Sequence, residues 1–312
     1  MNKIIYIYMM LLLSLIFTGC SKEVDQSDAL VVAVSIGPEE SFVKAIAGDL
    51  VSVVTLIPSG ASPTNYQPSP KEMTEFQKAS VYFAIGVPAE TTNIIPNIVN
   101  MSRDIRVIHL DDIVAKIYEA RYFDEDAHQE KSIVAEEDRN LNEIGDEQDH
   151  IGRDPHIWMS PKRVVVMVEA ITETLISLDP EHEQTYLSNS KEYKELLNEL
   201  DKQLLQKTQL LTNKTFVIMH PSLGYFADDY NLNMVAIEQD GKQSTAAHLQ
   251  EVIDFSLANN IKAIFYQAEF DSSQAKTLAT EINGEVLEID TLSTNYLESM
   301  YSIADMFDKI LK

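Results

Sequence analysis

Hydrophobic and polar positions alternate between two patterns from residue 29 onward: short apolar runs and longer stretches of helical periodicity. The runs are rich in Val, Ile and Phe and almost continuous, which is typical of strands buried on both faces of a parallel sheet. They predict strands over 29–36, 51–57, 81–85, 105–110, 215–220, 233–238, 261–267 and 285–290. The chain is therefore predicted to be α/β, with two lobes that each contain a parallel sheet flanked by helices.

A long helical stretch separates the two series of strands. Apolar residues recur at spacings of three and four over 164–178, Asp179-Pro180 interrupts them, and the pattern resumes over 193–211. A helix over 181–211 would be roughly 45 Å long, since each residue adds about 1.5 Å. We expect one long rigid helix that joins the two lobes; two ordinary packing helices within one lobe are the alternative.

The first residues resemble a processing signal. Lys3 precedes an apolar run over 4–17 that is too short for a stable spanning helix and fits the apolar region of a secretory signal. The run leads through small residues to Cys20, the only cysteine of the chain. This arrangement resembles a bacterial lipoprotein cleavage box, so we expect a signal peptide over 1–19 and a lipidated Cys20. An ordinary signal peptide with an incidental cysteine is the alternative.

These observations define the expected domain organisation. The predicted parts are a tether over 20–28, an N-terminal α/β lobe over 29–180, a linking helix over 181–211 and a C-terminal α/β lobe over 212–312.

An acidic segment over 119–153 breaks the periodicity of the first lobe. It contains His128 and His150 among many Asp and Glu residues and has no sustained apolar pattern. Such a composition is typical of a solvated loop. Because carboxylates and imidazoles also bind metals, a second interpretation is a weak collector of cations beside a binding site.

Composition restricts the partners. The 312 residues carry a formal charge of -25, with a pI of about 4.5. Nucleic acids and anionic membrane surfaces both attract cationic proteins, so this charge argues against them as partners and favours cations. A single cysteine excludes a disulfide within the chain and argues against a metal site built from thiolates.

Polar residues at the carboxyl ends of the predicted strands are the candidates for chemistry, because ligands of open α/β sheets bind there. The loop "GASPTNYQPSP" over 60–70 follows the second strand, and Asp154-Pro155-His156 follows the acidic segment. His220 ends the fifth predicted strand and Asp290 ends the eighth. Two imidazoles and one carboxylate suit zinc or manganese, although each residue by itself is a weak signal.

Several motifs together resemble one family, the zinc and manganese solute-binding lipoproteins of bacterial ABC importers. The most specific are "DPHIWMSP" over 154–161 and "HPSLGYF" over 220–226, with Tyr230 following. The 60–70 loop and Asp290 complete the set, and the resemblance extends from about Ala29 to the C-terminus. It implies a rigid helix between two lobes and a metal site in the cleft, with an acidic, often His-containing loop before the second ligand in zinc-type members.

The resemblance also implies a set of ligands. His156, His220 and Asp290 stand at three of the family's four ligand positions. At the first position, where the family has His, this chain has Thr64. A hydroxyl is a poor zinc ligand beside imidazole, so water, His150 or Asn65 would have to fill that position, or affinity is reduced.

The resemblance implies zinc as the transported ion, with manganese as the alternative. Manganese-type members tend to have Glu where this chain has His220, and nitrogen ligands favour zinc on physical grounds. The implied partners are the membrane permease of an ABC importer and the membrane itself, through lipidated Cys20. We expect an extracytoplasmic monomer, anchored by its lipid, that does not bind nucleic acid.

Two functions of other classes compete with metal transport. A zinc-dependent hydrolase would use the same ligands with an open position, but it also needs a general base, and no His-Glu-x-x-His helix is present. A binding protein for an organic or chelated ligand is the other alternative, because the polar side chains over 64–67 can form hydrogen bonds.

Overall fold

The computed structural model describes residues 30–98, 105–123, 152–238 and 244–312. The predicted signal peptide, the tether, Cys20, His128 and His150 lie outside these ranges. Within them, no helix combines the length and apolar character needed to cross a membrane.

The first lobe contains a parallel sheet of four strands. They are β1 (Leu30–Val34), β2 (Val51–Thr55), β3 (Val81–Ala84) and β4 (Arg106–His109), arranged in the order β2-β1-β3-β4. The second lobe repeats the arrangement with β5 (Thr215–Ile218), β6 (Asn233–Ala236), β7 (Ala263–Tyr266) and β8 (Glu285–Glu288), in the order β6-β5-β7-β8. Each strand lies within a predicted one, so the prediction of two parallel sheets is confirmed.

Helices connect successive strands and cover the sheets. In chain order they are α1 (Gly37–Ala47), α2 (Pro70–Phe76), α3 (Ile95–Ile98), α4 (Leu110–Ala115), α5 (Pro161–Leu178), α6 (Glu183–Gln209), α7 (Gly224–Asp229), α8 (Ala246–Ala258), α9 (Ser273–Glu281) and α10 (Tyr296–Ile310).

The long helix between the lobes is α6, which lies within the predicted range of 181–211. It begins at Glu183 because Pro180–His182 form a short 3-10 turn after α5, and it ends at Gln209. The helix buries one face and packs against α1 of the first lobe, α10 of the second lobe and the preceding α5. The expectation of one helix joining the lobes is confirmed, whereas the lobe boundaries at 180 and 212 stay a prediction.

One hydrophobic cluster extends through both lobes, and a second, smaller one lies within the second lobe. Val32 and Val34 of β1 belong to the same buried cluster as Phe216 of β5 and Phe265 of β7. Phe307 of α10 closes the second lobe's part of that cluster, with its ring centroid 4.9 Å from Phe216 and 4.8 Å from Phe265. Because burial of apolar surface is the main stabilising contribution to a fold, this core fixes the lobes against each other.

Three buried carboxylates lie near the carboxyl edge of the first sheet. Glu39 accepts hydrogen bonds from the backbone N–H groups of Ser35 and Ile36, at 3.0 and 3.2 Å. Glu90 accepts from the Ser35 hydroxyl and from the backbone of the turn after β3. Asp111 forms an ion pair with Arg153 at 3.2 Å.

Burial makes ionisation of Glu39 and Glu90 unfavourable. Loss of solvation, followed by the charge of Glu90, raises the pKa of Glu39 well above its usual value of 4.5. The pKa of Glu90 is raised to about 7, mainly by burial, although hydrogen bonds from Ile85 and Ser35 oppose the rise. The folded protein therefore retains protons here that the unfolded chain has already lost.

We expect Glu39→Gln to stabilise the protein at pH 8 more than at pH 5. A carboxyl with a raised pKa in the folded state stabilises the fold fully below about pH 4.5, and this contribution is lost as the pH rises through the folded-state pKa. The Gln amide does not ionise, so the variant avoids this loss of stability at pH 8. Its Tm at pH 8 should rise by about 2–4 °C for each kcal/mol added to the free energy of unfolding. Thermal unfolding at both pH values is the measurement, and an equal change at pH 5 and pH 8 would contradict it.

Candidate functional site

A short buried segment before α5 holds His156. Asp154 is fully buried, and its Oδ1 accepts a hydrogen bond from the His156 backbone N–H at 3.0 Å. The same Oδ1 lies 2.7 Å from Nδ1 of the His156 ring. One carboxylate oxygen thus fixes both the backbone and the imidazole of this residue, and the ring nitrogen Nε2 points away from that carboxylate.

His220 is held in the same manner in the second lobe. It follows β5, and its Nδ1 lies 2.8 Å from Oε2 of Glu238, which follows the neighbouring strand β6. Because β5 and β6 are parallel partners, both residues emerge at the same edge of the sheet. The buried Glu238 carboxylate therefore orients the ring and leaves its Nε2 available.

The two imidazoles meet at these nitrogens. Nε2 of His220 lies 3.3 Å from Nε2 of His156. When both Nδ1 atoms donate to their carboxylates, both Nε2 atoms carry lone pairs, and two facing lone pairs need a proton or a cation between them. Two nitrogens bonded to one tetrahedral zinc at 2.0–2.1 Å lie about 3.3–3.4 Å apart. The pair has the spacing of two ligands of one zinc ion.

Aromatic rings surround the imidazoles. Phe270 stacks on His220 with its ring centroid 4.0 Å away, and Trp158 lies 5.1 Å from His156. Burial is the main cause that lowers the pKa of His220, and the charge of His156 also lowers it, whereas the hydrogen bond to Glu238 opposes the change. The neutral imidazole, which is the form that binds metals, is therefore favoured at His220.

Arg121 connects the site to the second lobe. Its NH1 lies 3.2 Å from the second oxygen of Asp154, and its Nε lies 3.2 Å from Asp228. Its backbone N–H donates to the hydroxyl of Tyr225 at 2.9 Å. A Cβ on Gly224 would lie 2.6 Å from the Asp154 carboxylate and 2.7 Å from the Arg121 guanidinium. The glycine thus permits the close approach of α7 to both groups.

Asp290 lies apart from the histidine pair. It is exposed after β8, and its Oδ1 accepts a hydrogen bond from the backbone N–H of Leu292 at 3.1 Å. In the described ranges, groups of three or more potential ligands within 4.8 Å of one another are His109, Asp111 and Asp112, and Asp179, Glu181 and His182. The structure thus brings His156 and His220 together and leaves Asp290 outside such a group.

The 60–70 loop is held against the segment after β3. Pro63 accepts a backbone hydrogen bond from Ala89 at 3.0 Å, and the carbonyl of Tyr66 accepts from the Asn93 side chain at 2.9 Å. Thr64 is half-buried, and its N–H donates to the Ser62 hydroxyl at 3.3 Å, whereas Asn65 is exposed. The loop is thus ordered around the position where Thr64 stands.

A family profile described as "ZnuA: Zinc-uptake complex component A periplasmic" matches residues 32–310. The chain belongs to this family. The resemblance inferred from the 154–161 and 220–226 motifs is therefore confirmed.

Curated relatives agree with the family assignment. The chain is 28% identical over 291 residues to zinc-binding lipoprotein AdcA of Streptococcus pneumoniae, a match that covers 93% of this chain and 54% of AdcA. It is 27% identical over 278 residues to the high-affinity zinc uptake system protein ZnuA of Bacillus subtilis, covering 86% of this chain and 80% of ZnuA. The chain spans about half the length of AdcA.

Solved structures agree with the fold. A crystal structure of ZnuA superposes with a TM-score of 0.74 at 27% identity, covering 91% of this chain and all of ZnuA. A zinc-bound deletion mutant of ZnuA gives a TM-score of 0.75 at 27% identity, with 91% and 99% coverage. The fold of two parallel sheets joined by a long helix is thus that of the ZnuA family.

The site of this ZnuA family member contains residues that the sequence alone did not reveal. Glu238 ends the predicted strand over 233–238. Polar residues at the carboxyl ends of strands are candidates for a binding site, so the reasoning that selected His220 also applies to Glu238. Phe270 and Arg121 carry no comparable signal, since their positions beside the imidazoles depend on how distant segments pack.

We expect His220 to be predominantly neutral at pH 6.5, with its proton on Nδ1. The reason is the lowered pKa of the buried ring together with the Glu238 carboxylate at Nδ1. The nitrogen-15 chemical shifts of the imidazole in metal-free protein are the measurement. An imidazolium pattern, with both ring nitrogens protonated at this pH, would contradict the expectation.

Proposed function

We propose that this chain captures Zn²⁺ between its lobes and delivers it to the membrane permease of an ABC importer. The observation that supports this most directly is the pair of Nε2 atoms of His156 and His220, 3.3 Å apart. Buried carboxylates hold the far nitrogen of each ring, an arrangement common around zinc-binding histidines. The zinc-uptake family and relatives named for zinc binding support the same ion.

The ligand atoms favour zinc over manganese. Two imidazole nitrogens are softer ligands than the oxygens that suit manganese, and zinc accepts a tetrahedral shell of nitrogen and oxygen atoms. We propose Asp290 as a third ligand, because it follows β8 at the same edge of the second sheet as His220. Its exposed carboxylate would have to turn toward the two rings when the ion binds. Manganese remains the alternative cargo.

We propose an extracytoplasmic location and an anchor at Cys20. The family description places its members in the periplasm, and AdcA is named a lipoprotein. A charge of -25 suits a protein that collects cations and does not bind nucleic acid. We further propose that the protein acts as a monomer and has no catalytic activity, since transport requires that the ion be released unchanged.

Metal analysis of protein made without a histidine tag is the first test. We expect zinc to be retained, and calorimetric titration of the metal-free protein to show tighter binding of zinc than of manganese. Protein that binds neither ion would overturn the proposed function.

We expect His156→Ala and His220→Ala each to lower zinc affinity at least tenfold, which is about 1.4 kcal/mol. Each variant removes one nitrogen ligand from the pair of facing imidazoles. His182→Ala is the matched control, because His182 lies in the turn between α5 and α6 and pairs with Asp179. Competition with a chelator of known affinity measures the change; equal titration curves for the two site variants and the control would contradict the assignment.

We expect Thr64→His to raise zinc affinity by tenfold or more. An imidazole at this position would offer a nitrogen ligand at about 2.0–2.1 Å in place of a weaker oxygen ligand. The gain should disappear in a His220→Ala background, because both residues would serve one ion. An unchanged or lower affinity would contradict the expectation, because it would mean that the 60–70 loop does not face the metal.

A further inference from the structure

Zinc held by His156, His220 and Asp290 still has one position to fill, because protein zinc sites are almost always four-coordinate. At the first-ligand position Thr64 offers only a neutral hydroxyl. Water can take this position, but a nitrogen or an ionised oxygen close to the two rings would bind the ion more tightly, and the loops at the carboxyl edge of the second sheet can supply one.

The loop after β7 lies beside His220. In the sheet order β6-β5-β7-β8, this loop stands between His220, which follows β5, and Asp290, which follows β8. Its residue Phe270 stacks on the His220 ring at 4.0 Å with an interplanar angle of 16°. The preceding residue, Glu269, is thus one peptide unit away from a residue in van der Waals contact with the imidazole.

Glu269 has an oxygen without a partner. Its Oε2 is removed from solvent and forms no hydrogen bond within the described part of the chain. A buried carboxylate oxygen left in this way is unfavourable, and such an oxygen needs a donor or a cation. Two neighbouring polar side chains of the loop do have partners: the amide of buried Gln267 donates to the Thr291 hydroxyl at 3.4 Å, and Asp271 accepts from the backbone N–H of Ser273 at 2.9 Å.

The charge of Asp290 acts on Glu269. Asp290 and Glu288 lie close enough to Glu269 for their charges to act on it. A divalent cation bound near both side chains would be attracted to both carboxylates.

We propose that Glu269 supplies a ligand to the transported metal, together with His156, His220 and Asp290, and so takes the place of the imidazole that Thr64 does not provide. This inference rests on the proposed function. In the described structure these groups do not all lie within 4.8 Å of one another, so binding draws the Glu269 and Asp290 carboxylates toward the two rings.

The test compares Glu269→Gln with Glu288→Gln. The first variant keeps the size of the side chain and removes its charge. The second removes the same charge from an exposed residue of the same sheet edge, where Glu288 accepts a hydrogen bond from Tyr266 at 2.7 Å. We expect zinc affinity, measured by chelator competition, to fall at least tenfold for Glu269→Gln and less than threefold for Glu288→Gln. Equal affinities of the two variants would overturn the inference.

Cobalt separates a ligand from a nearby charge. Bound Co²⁺ absorbs visible light according to its coordination number and ligand atoms, so Glu269→Gln should change the spectrum of the cobalt-loaded protein while Glu288→Gln leaves it unchanged. A lower affinity with an unchanged cobalt spectrum would also overturn the inference, since Glu269 would then act only through its charge.

Two controls distinguish the loss of a ligand from misfolding of the variant and from failure of the proposed function. Thermal unfolding of metal-free Glu269→Gln should show a Tm equal to or above that of the unmodified protein, because the variant keeps the size of the side chain and removes a charge that burial and the neighbouring Asp290 disfavour. If the unmodified protein itself binds no zinc, the proposed function fails. If it binds zinc through His156 and His220 while Glu269→Gln binds equally well, only the role of Glu269 fails.

Discussion

The site depends on two buried imidazoles whose Nε2 atoms face each other at 3.3 Å. Asp154 and Glu238 lie at the Nδ1 atoms of His156 and His220, and when both Nδ1 atoms donate to these carboxylates, both Nε2 lone pairs point into the same space. Without a proton or a metal ion between them this arrangement is repulsive. The fold maintains it because each ring is fixed by a carboxylate that is itself buried.

The position of the two lobes relative to each other sets the geometry of the site, because each lobe supplies one imidazole. The shared core and the helix α6, which packs against elements of both lobes, set the distance across the cleft. Arg121 adds a polar link, since its guanidinium contacts Asp154 on one side and Asp228 on the other. A change that separates the lobes by about 1 Å would therefore change the distance between the two Nε2 atoms, because a carboxylate holds each ring in place.

Negative charge is placed differently in the two lobes. In the first lobe, Glu39 and Glu90 share hydrogen bonds with Ser35 and have raised pKa values, so they favour their neutral forms. In the second lobe, Glu238 contacts an imidazole, and Glu269 and Asp290 lie near each other at the carboxyl edge of the sheet. Each lobe also places one buried carboxylate against an imidazole, Asp154 at His156 and Glu238 at His220.

Sequence alone determined the strands, the long helix, the family and the two histidines. Buried parallel strands leave continuous apolar runs, and the 154–161 and 220–226 motifs are local, so both can be read along the chain. The tertiary structure decided what depends on distant segments: the facing Nε2 atoms, the partners Glu238 and Arg121, the stacked Phe270, and the exposed position of Asp290. Neither the orientation of a side chain nor its loss of solvent is encoded in local periodicity, because packing between segments far apart in sequence sets both.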